Sequence, residues 1–277
     1  MNYILKQSKY LSSEQVVDIC NLFERIFEKK MTPNDFKKKF LSNTFKTSYH
    51  ALLLSDNHKI VGCYTSIPQQ YIYYGKEMTF GLSVDTMIDN EYRGNPFTLK
   101  KLANIVYDSM KDDGISFVFG FPNDNVYLVR KKILKWKDIG KLKYYILPIN
   151  IGAIKNKLKY FNFFSKAYAK ILNKLVSSEL NTAYYNNRSI EKKIGVNYMQ
   201  SRYDNSYNIE KSGGGFLVYK IYVEDNVRTA FIIDIYPLTK EALEFFTKSI
   251  YEKELNNIDV ILYAGDLDFS VKNLIEV

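Results

Sequence analysis

The stretch from Thr79 to Lys101, TFGLSVDTMIDNEYRGNPFTLKK, holds the residue types best suited to chemistry. An extended run breaks there at Arg93-Gly94-Asn95-Pro96, and a helical pattern follows at once. A helix start leaves backbone N–H groups without partners and adds a positive dipole end, so this junction is a seat for a phosphate or pyrophosphate. Asp85, upstream in the same run, places a carboxylate among mostly apolar neighbours. Other chemistries are poorly supplied. Cys20 and Cys63 are the only two cysteines and lack paired or metal-type spacing, so both read as small core residues in a reducing compartment, with neither a disulfide framework nor a metal site expected. The two histidines, His50 and His58, flank an apolar run in polar contexts and read as surface or turn positions.

These residues need a scaffold, and its elements are readable. Ser12-Ser13-Glu14 resembles an N-cap ahead of an amphipathic helix from Gln15 to Lys30, with Val16, Ile19, Phe23, Ile26 and Phe27 at helical spacing. Thr32-Pro33-Asn34-Asp35 opens a second helix through Phe36, Phe40 and Leu41. Strands are expected over Tyr49 to Leu54, Ile60 to Gln69 ending near Pro68, Tyr71 to Tyr74, and Met78 to Ile88. A helix from Phe97 closes at Asp112-Asp113-Gly114. The nearly all-apolar run Ile115 to Phe121 reads as a strand buried on both faces, followed by a helix over Asn125 to Lys135.

At 277 residues, a prior of roughly 100–200 residues per domain gives one or two domains, and two are expected. The formal charge of +9 favours an anionic partner without choosing among nucleotide, coenzyme, nucleic acid and acidic membrane. No N-terminal apolar run has signal-peptide length and no window approaches the ~18 apolar residues that span a bilayer, so a cytoplasmic protein is expected.

From Ile149 to Leu180 the text changes. Ile154, Leu158, Phe161, Tyr168, Ile171 and Leu175 fall on one helical stripe, and six lysines stand against one glutamate, a net +5. Such a stripe is what a core-facing connecting helix needs. The sharper alternative is a basic amphipathic helix in peripheral contact with an anionic membrane through residues 151–180. Asn181 to Lys211 carries no clear pattern. Gly213-Gly214-Gly215 reads as a hinge or strand entry, then come strands over Phe216 to Val223 and Thr229 to Tyr236, a helix bearing Leu243, Phe246 and Ile250, and a strand from Ile258 to Ala264.

The order of strand, two helices, antiparallel strands and a strand-helix-strand unit, with an Arg-Gly turn after the fourth strand and Phe121-Pro122-Asn123 before a helix ending in Leu134-Lys135-Trp136, resembles the GNAT superfamily of acyl-CoA-dependent N-acyltransferases. The resemblance covers about Met1 to Tyr145. It implies an α/β fold with a mixed sheet: a coenzyme-binding domain over 1–148, a helical connecting segment over 149–200, and a reduced GNAT-like unit over 201–277. Asp85 to Gly94 looks like the strand and pyrophosphate loop of the family, whose pattern expects Gly where Pro96 stands and Gly or Ala where Thr98 stands. Pro96 removes one N–H donor but suits a first helical turn, so a slightly poorer, still usable cradle is expected.

By the same resemblance, the fourth and fifth strands splay, Thr86, Met87 and Ile88 hold the coenzyme arm, and Arg93, Gly94, Asn95 and Phe97 meet the pyrophosphate. Asp85 becomes the base or amine-orienting group, or else a structural carboxylate. Strand alternation puts Ser83, Asp85 and Met87 on one face and Val84, Thr86 and Ile88 on the other. The family's general-acid Tyr would fall on Lys131, five residues before Trp136, and Tyr127 one turn earlier is the substitute, with plain packing as its alternative role. Asn123 is placed to touch coenzyme or acceptor, or to cap the following helix. The members most similar acylate nucleotide-linked deoxyamino sugars in surface-polysaccharide biosynthesis. The implied donor is a coenzyme A thioester, acetyl-CoA or a short hydroxyacyl-CoA, and the implied acceptor a dTDP- or UDP-amino sugar, with no nucleic acid. Competing readings are a tRNA-dependent aminoacyltransferase of tandem-GNAT type and a non-catalytic module docking on membrane or partner.

Overall fold

Two reciprocal caps set the first helices of the computed structural model, which describes residues 1–180 and 190–277. After strand β1 (Asn2–Gln7), the Ser12 side chain accepts from the Gln15 N–H while Gln15 accepts from the Ser12 N–H, opening α1 (Ser13–Phe27). Thr32 and Asp35 make the same exchange around Pro33 to open α2 (Pro33–Phe40). Each exchange satisfies two orphaned donors and contributes about 1 kcal/mol. Then follow β2 (Tyr49–Leu54), β3 (Ile60–Tyr73), β4 (Lys76–Ile88), α3 (Pro96–Asp112), β5 (Phe117–Phe119) and α4 (Asp124–Ile133).

These strands pair in the order β1-β2-β3-β4-β5, antiparallel as far as β4, with β5 parallel to β4 through the crossover helix α3. One face packs Ile19, Leu22, Phe36, Phe40, Leu52 and Met87 with α1 and α2. The other packs Leu53, Tyr64, Leu102, Val106 and Met110 with α3.

Three expectations are corrected here. The strand from Ile60 does not end near Pro68 but runs on as one 14-residue strand to Tyr73. Pairing with β2 stops at Ser66, so Pro68 has a ladder neighbour only in β4, an edge-like position where a missing N–H is tolerated. The apolar run at 115–121 yields only three strand residues, with Phe117 exposed and Val118 and Phe119 half-buried, because β5 closes the sheet. His50 is neither surface nor turn. It lies within β2, fully buried against Phe36 and Phe40, with its ring nitrogens 2.7 Å from Ser8 Oγ and 3.1 Å from Thr65 Oγ1. His58 does occupy an exposed turn at φ 58°.

The remaining elements are β6 (Lys143–Pro148), α5 (Ile151–Ile154), a 3-10 stretch Asn156–Phe161, α6 (Asn162–Lys174), β7 (Ile190–Lys192), α7 (Val196–Arg202), β8 (Asn208–Ser212), β9 (Gly215–Glu224), β10 (Val227–Tyr236), α8 (Lys240–Glu254), β11 (Val260–Gly265) and β12 (Ile275–Glu276). Residues 1–137 with β7 and α7 form one compact unit, and residues 138–180 and 203–277 another. The break thus falls after Lys137 rather than at 148. β6 pairs with β11 and β12 in a second sheet ordered β12-β6-β11-β10-β9-β8, because its buried Tyr145 and Leu147 belong to that sheet's core. The stretch given as a connecting segment is shared out likewise: α5 and α6 lie in the second unit, and β7 pairs with β3 in the first. Residues 181–189 of the unassigned segment lie outside the described residues.

In the second unit β9 and β10 form a hairpin, and α8 crosses over to β11, which is parallel to β10. The glycine run is a strand entry rather than a hinge, with Gly215 opening β9. Gly213 and Gly214, at φ 54° and 79°, make the tight turn of the β8–β9 hairpin, where a double positive φ matches the twist of the strands. Burial would raise the Asp259 carboxyl, but hydrogen bonds from the Arg228 side chain and backbone and from Asn150 outweigh it and hold it at about 2.

The apolar stripe of the lysine-rich segment does not face a core. In α6 the buried positions are Ser165, Ala169 and Asn173, whereas Tyr168 and Ile171, with Leu175 just beyond, are exposed. Small side chains allow this helix to lie close on its neighbours, and the bulky stripe is turned outward.

Candidate active site

A register slip in β4 decides which side chains face which way. Cys63 pairs with Met87 but Thr65 pairs with Val84, so Asp85 and Thr86 together oppose Tyr64. Two residues against one is a β-bulge, and Asp85 takes up the extra length in left-handed backbone at φ 45°. Regular alternation therefore fails. Ser83, beside Tyr64, lies on the α3 face, as do Thr86 and Ile88, while Val84, Asp85 and Met87 lie on the α1/α2 face. The expected grouping of Ser83 with Asp85 is overturned because the bulge inserts a half-turn between them.

The bulge also stands where the sheet opens. Pairing between β4 and β5 ends at Leu82 with Phe119, although β4 runs on to Ile88. Past that point lies a cleft of about 660 Å³ lined by Thr86 and Ile88 of β4, Arg93, Asn95 and Pro96 of the turn, and Asn123, Val129 and Lys132 from α4 and its cap. Ile26 and Phe27 at the end of α1 close another side.

Local chemistry fixes the turn. Asp89 caps a single 3-10 turn, Asn90–Tyr92, and is held by Arg25 at 2.9 Å. Arg93 folds back so that its Nε donates to the Ile88 carbonyl at 2.6 Å. Asn95 is the N-cap of α3: its side chain accepts the Phe97 N–H at 2.9 Å and its carbonyl the Thr98 N–H at 3.1 Å. With Pro96 at the first helical position, the amides of this first turn are thus largely engaged. Thr98, where the family pattern has Gly or Ala, is buried and part of the packing.

Behind Thr86 lies a buried polar cluster that the sequence reading missed. Arg130 of α4 is buried, its Nη2 donates to Thr86 Oγ1 at 2.9 Å, and its guanidinium stacks on Trp136, 4.6 Å from the ring centroid. Its Nε and Nη1 have no hydrogen-bond partner among the described residues. Burial lowers the guanidinium pKa, partly offset by the nearby phenols of Tyr64 and Tyr107. Trp136 Nε1 donates to the Tyr107 hydroxyl at 2.9 Å, and that hydroxyl lies 2.7 Å from the one on Tyr64. Gly120 makes room for this: a Cβ there would fall 2.9 Å from both Arg130 Nη1 and the Ser83 carbonyl. In sequence Arg130 stood in a basic run, Arg130-Lys131-Lys132, that reads as a solvated face; only the Val126, Val129, Ile133 spacing signalled that α4 lines something.

The other candidate residues are distributed as follows. Thr86, Ile88, Arg93, Asn95 and Asn123 come together in the cleft. Asn123 also caps α4, accepting the Val126 N–H at 3.2 Å. Met87 is buried in the core on the α1/α2 face, and Phe97 projects outward, 70% exposed. Gly94 is exposed at the rim, where a Cβ would meet no protein atom. Tyr127 is half-buried, its hydroxyl accepting from Lys131 Nζ at 3.1 Å, so the lysine in the expected tyrosine position holds the nearby tyrosine. Asp85 sits outside the cleft lining, its carboxylate clasped by Lys39.

Among solved structures, the chain is similar to a probable N-acyltransferase of unknown function from Enterococcus faecalis V583, at 12% identity and TM-score 0.59 over 100% of this chain and 70% of that one. A GCN5-related N-acetyltransferase from Anabaena variabilis gives 12% and 0.58 over 96% and 67%. Saccharomyces cerevisiae N-myristoyltransferase with bound myristoyl-CoA gives 11% and 0.55 over 97% and 74%. No curated protein matches the sequence. At these identities the likeness establishes the fold. Residues 7–131 match the family model of the acetyltransferase (GNAT) domain. Among the described residues no helix is long and apolar enough to cross a membrane. The chain is thus built on the GNAT fold, with the similarity to the acetyltransferase family model confined to residues 7–131.

Proposed function

We propose that the protein transfers an acyl group from a coenzyme A thioester to an amine, and that the amine belongs to a nucleotide-linked deoxyamino sugar. The observation that supports acyl transfer most is the cleft at the parting of β4 and β5, with Thr86, Ile88, Arg93 and Asn95 on one wall and Asn123 and Lys132 on another. Its donor set fits a pyrophosphate-bearing arm. Arg93 and Lys132 supply positive charge, the start of α3 supplies its dipole, and open space at Gly94 permits close backbone approach. The thioester supplies an activated carbonyl, and no covalent enzyme intermediate is required.

The chain's own residues divide the remaining work. Beyond Leu82 the edge of β4 that faces away from β3 has no β5 partner and presents main-chain groups to an extended pantetheine arm. Arg130 fixes the Thr86 side chain at the cleft wall and lends positive charge beneath it. Asp85, one residue away and on the opposite face, is assigned to orient an amine arriving from the α1/α2 side. Tyr127, held by Lys131, is the assigned proton donor to the leaving thiolate.

Support for a dTDP- or UDP-amino sugar comes from the resemblance carried by the Asp85 strand, the Arg93-Gly94 turn, Phe121-Pro122-Asn123 and Leu134-Lys135-Trp136, and from the +9 charge, which suits a diphosphate acceptor. The second unit, with its β9–β10 hairpin, α8 crossover and parallel β11, is read as a reduced GNAT-like repeat. Acetyl-CoA should raise the melting temperature, and free thiol should appear only when the amino sugar is added. No stabilisation by any coenzyme A thioester would remove the acyl-transfer reading. Stabilisation without turnover on either nucleotide sugar would remove the acceptor alone.

A further inference from the structure

We infer that the segment from α5 to the end of α6 is a docking surface for an anionic lipid membrane. It is a short, acid-free stretch whose bulky apolar side chains point outward. Tyr160 is 93% exposed and Phe163 76%, with Phe164, Ile154, Ile171 and Leu175 also exposed. Six of the chain's lysines lie between Lys155 and Lys174, and the first acidic residue after Asn150 is Glu179.

The geometry of α6 separates this surface from the packing face. At 3.6 residues per turn, Phe164, Tyr168, Ile171 and Leu175 form a narrow stripe, and Ser165, Ala169 and Asn173 form the buried face roughly 130° around the axis. Lys166, Lys170 and Lys174 make a third exposed row, one helical turn apart, roughly 130° from the stripe on its other side, and this row also carries the exposed Phe163. A helix held to its domain by small residues while aromatic and aliphatic groups face water runs against ordinary burial preferences. The arrangement is that of an interfacial helix, with its apolar stripe for the acyl boundary and long lysine stems carrying charge to the headgroups.

Charge decides among occupants. A second copy applied face to face would oppose six lysines with six lysines. Single-stranded nucleic acid would stack on the aromatics but gain little from Ile154, Ile171 and Leu175. An anionic bilayer satisfies both features at once, each lysine near its surface being worth about 1 kcal/mol.

The test is flotation of the full chain with phosphatidylcholine vesicles, with and without phosphatidylglycerol, at low and high salt. Binding is expected only to the phosphatidylglycerol vesicles and weakens with salt. The triple variant Lys166→Gln, Lys170→Gln, Lys174→Gln should bind roughly 100-fold more weakly. Phe163→Ser with Phe164→Ser should lose about tenfold or more while keeping the melting temperature of the parent, since neither side chain is buried. Failure of the parent to float, binding that ignores both variants, or a Phe163- and Phe164-dependent dimer in sedimentation without vesicle binding would each overturn the assignment. The outcome is independent of the acyl-transfer reading, which coenzyme A stabilisation tests separately.

Discussion

Lys39 Nζ lies 2.8 and 2.6 Å from the two carboxylate oxygens of Asp85, and this clasp spans α2 and the bulge of β4. It holds a non-glycine residue at φ 45°, a conformation that Asp and Asn tolerate better than other side chains. Asp85→Asn therefore keeps the backbone and loses the charge. It should cost about 1 kcal/mol of stability, because the pair is only partly buried. If Asp85 orients the amine, kcat falls by about tenfold or more with KM for the thioester unchanged, and Lys39→Met, which spares the carboxylate, costs less activity. Equal losses in both variants would reduce Asp85 to a structural role.

The turn gives a prediction that separates folding from binding. Asn95→Ala removes the side chain that caps α3 and frees the Phe97 N–H, so thermal stability should fall by about 1 kcal/mol. Lys132→Ala removes a cleft charge on the surface and should leave stability within about 0.5 kcal/mol, whereas Arg93→Ala also loses the bond to the Ile88 carbonyl and should cost about 1 kcal/mol. Each should weaken coenzyme A binding about fivefold, an effect shrinking at high salt, as read by calorimetry. Unchanged affinity in both would place the pyrophosphate elsewhere.

Arg130 is a buried cation with no carboxylate partner among the described residues. Such a group costs folding free energy, so Arg130→Met, which keeps much of the volume, should be neutral or stabilising by about 1–3 kcal/mol in urea unfolding. The same change releases Thr86 and removes positive charge from the cleft wall, so kcat/KM should drop. A variant both less stable and fully active would show that the guanidinium serves packing alone.

His50 sets an acid limit. Burial pushes its pKa down to about 3, so the folded state keeps it neutral where the unfolded chain, near 6.5, takes up a proton. Its contribution is fully present above about pH 6.5 and is lost as pH falls towards 3, with a slope of about 1.4 kcal/mol per unit below the unfolded value. Urea midpoints at pH 7 and pH 5 should reveal this in the parent and a flatter dependence in His50→Gln. An equal slope in the variant would assign the acid sensitivity to other groups.

Local rules made much of the first unit legible. Caps at Ser12 and Thr32, the turn at Asn57-His58, the Asn95-Pro96 helix start and the helical spacing of α3 all depend on residues within a turn or two of one another. Strand order and the strand-turn-helix seat followed from the same near-neighbour chemistry. The sequence by itself therefore determined the elements of the first unit up to α4 and the strand-turn-helix junction at Arg93 to Pro96. Tertiary structure alone decided which side of β4 each residue faces, since one bulge opposite Tyr64 reverses the alternation. It also drew Arg130 out of a basic run into a buried cluster through Trp136, Tyr107 and Gly120, contacts with partners up to 44 residues away. And it turned the apolar stripe of α6 to solvent, because the face a helix buries is set by the surface it meets as well as by its own periodicity.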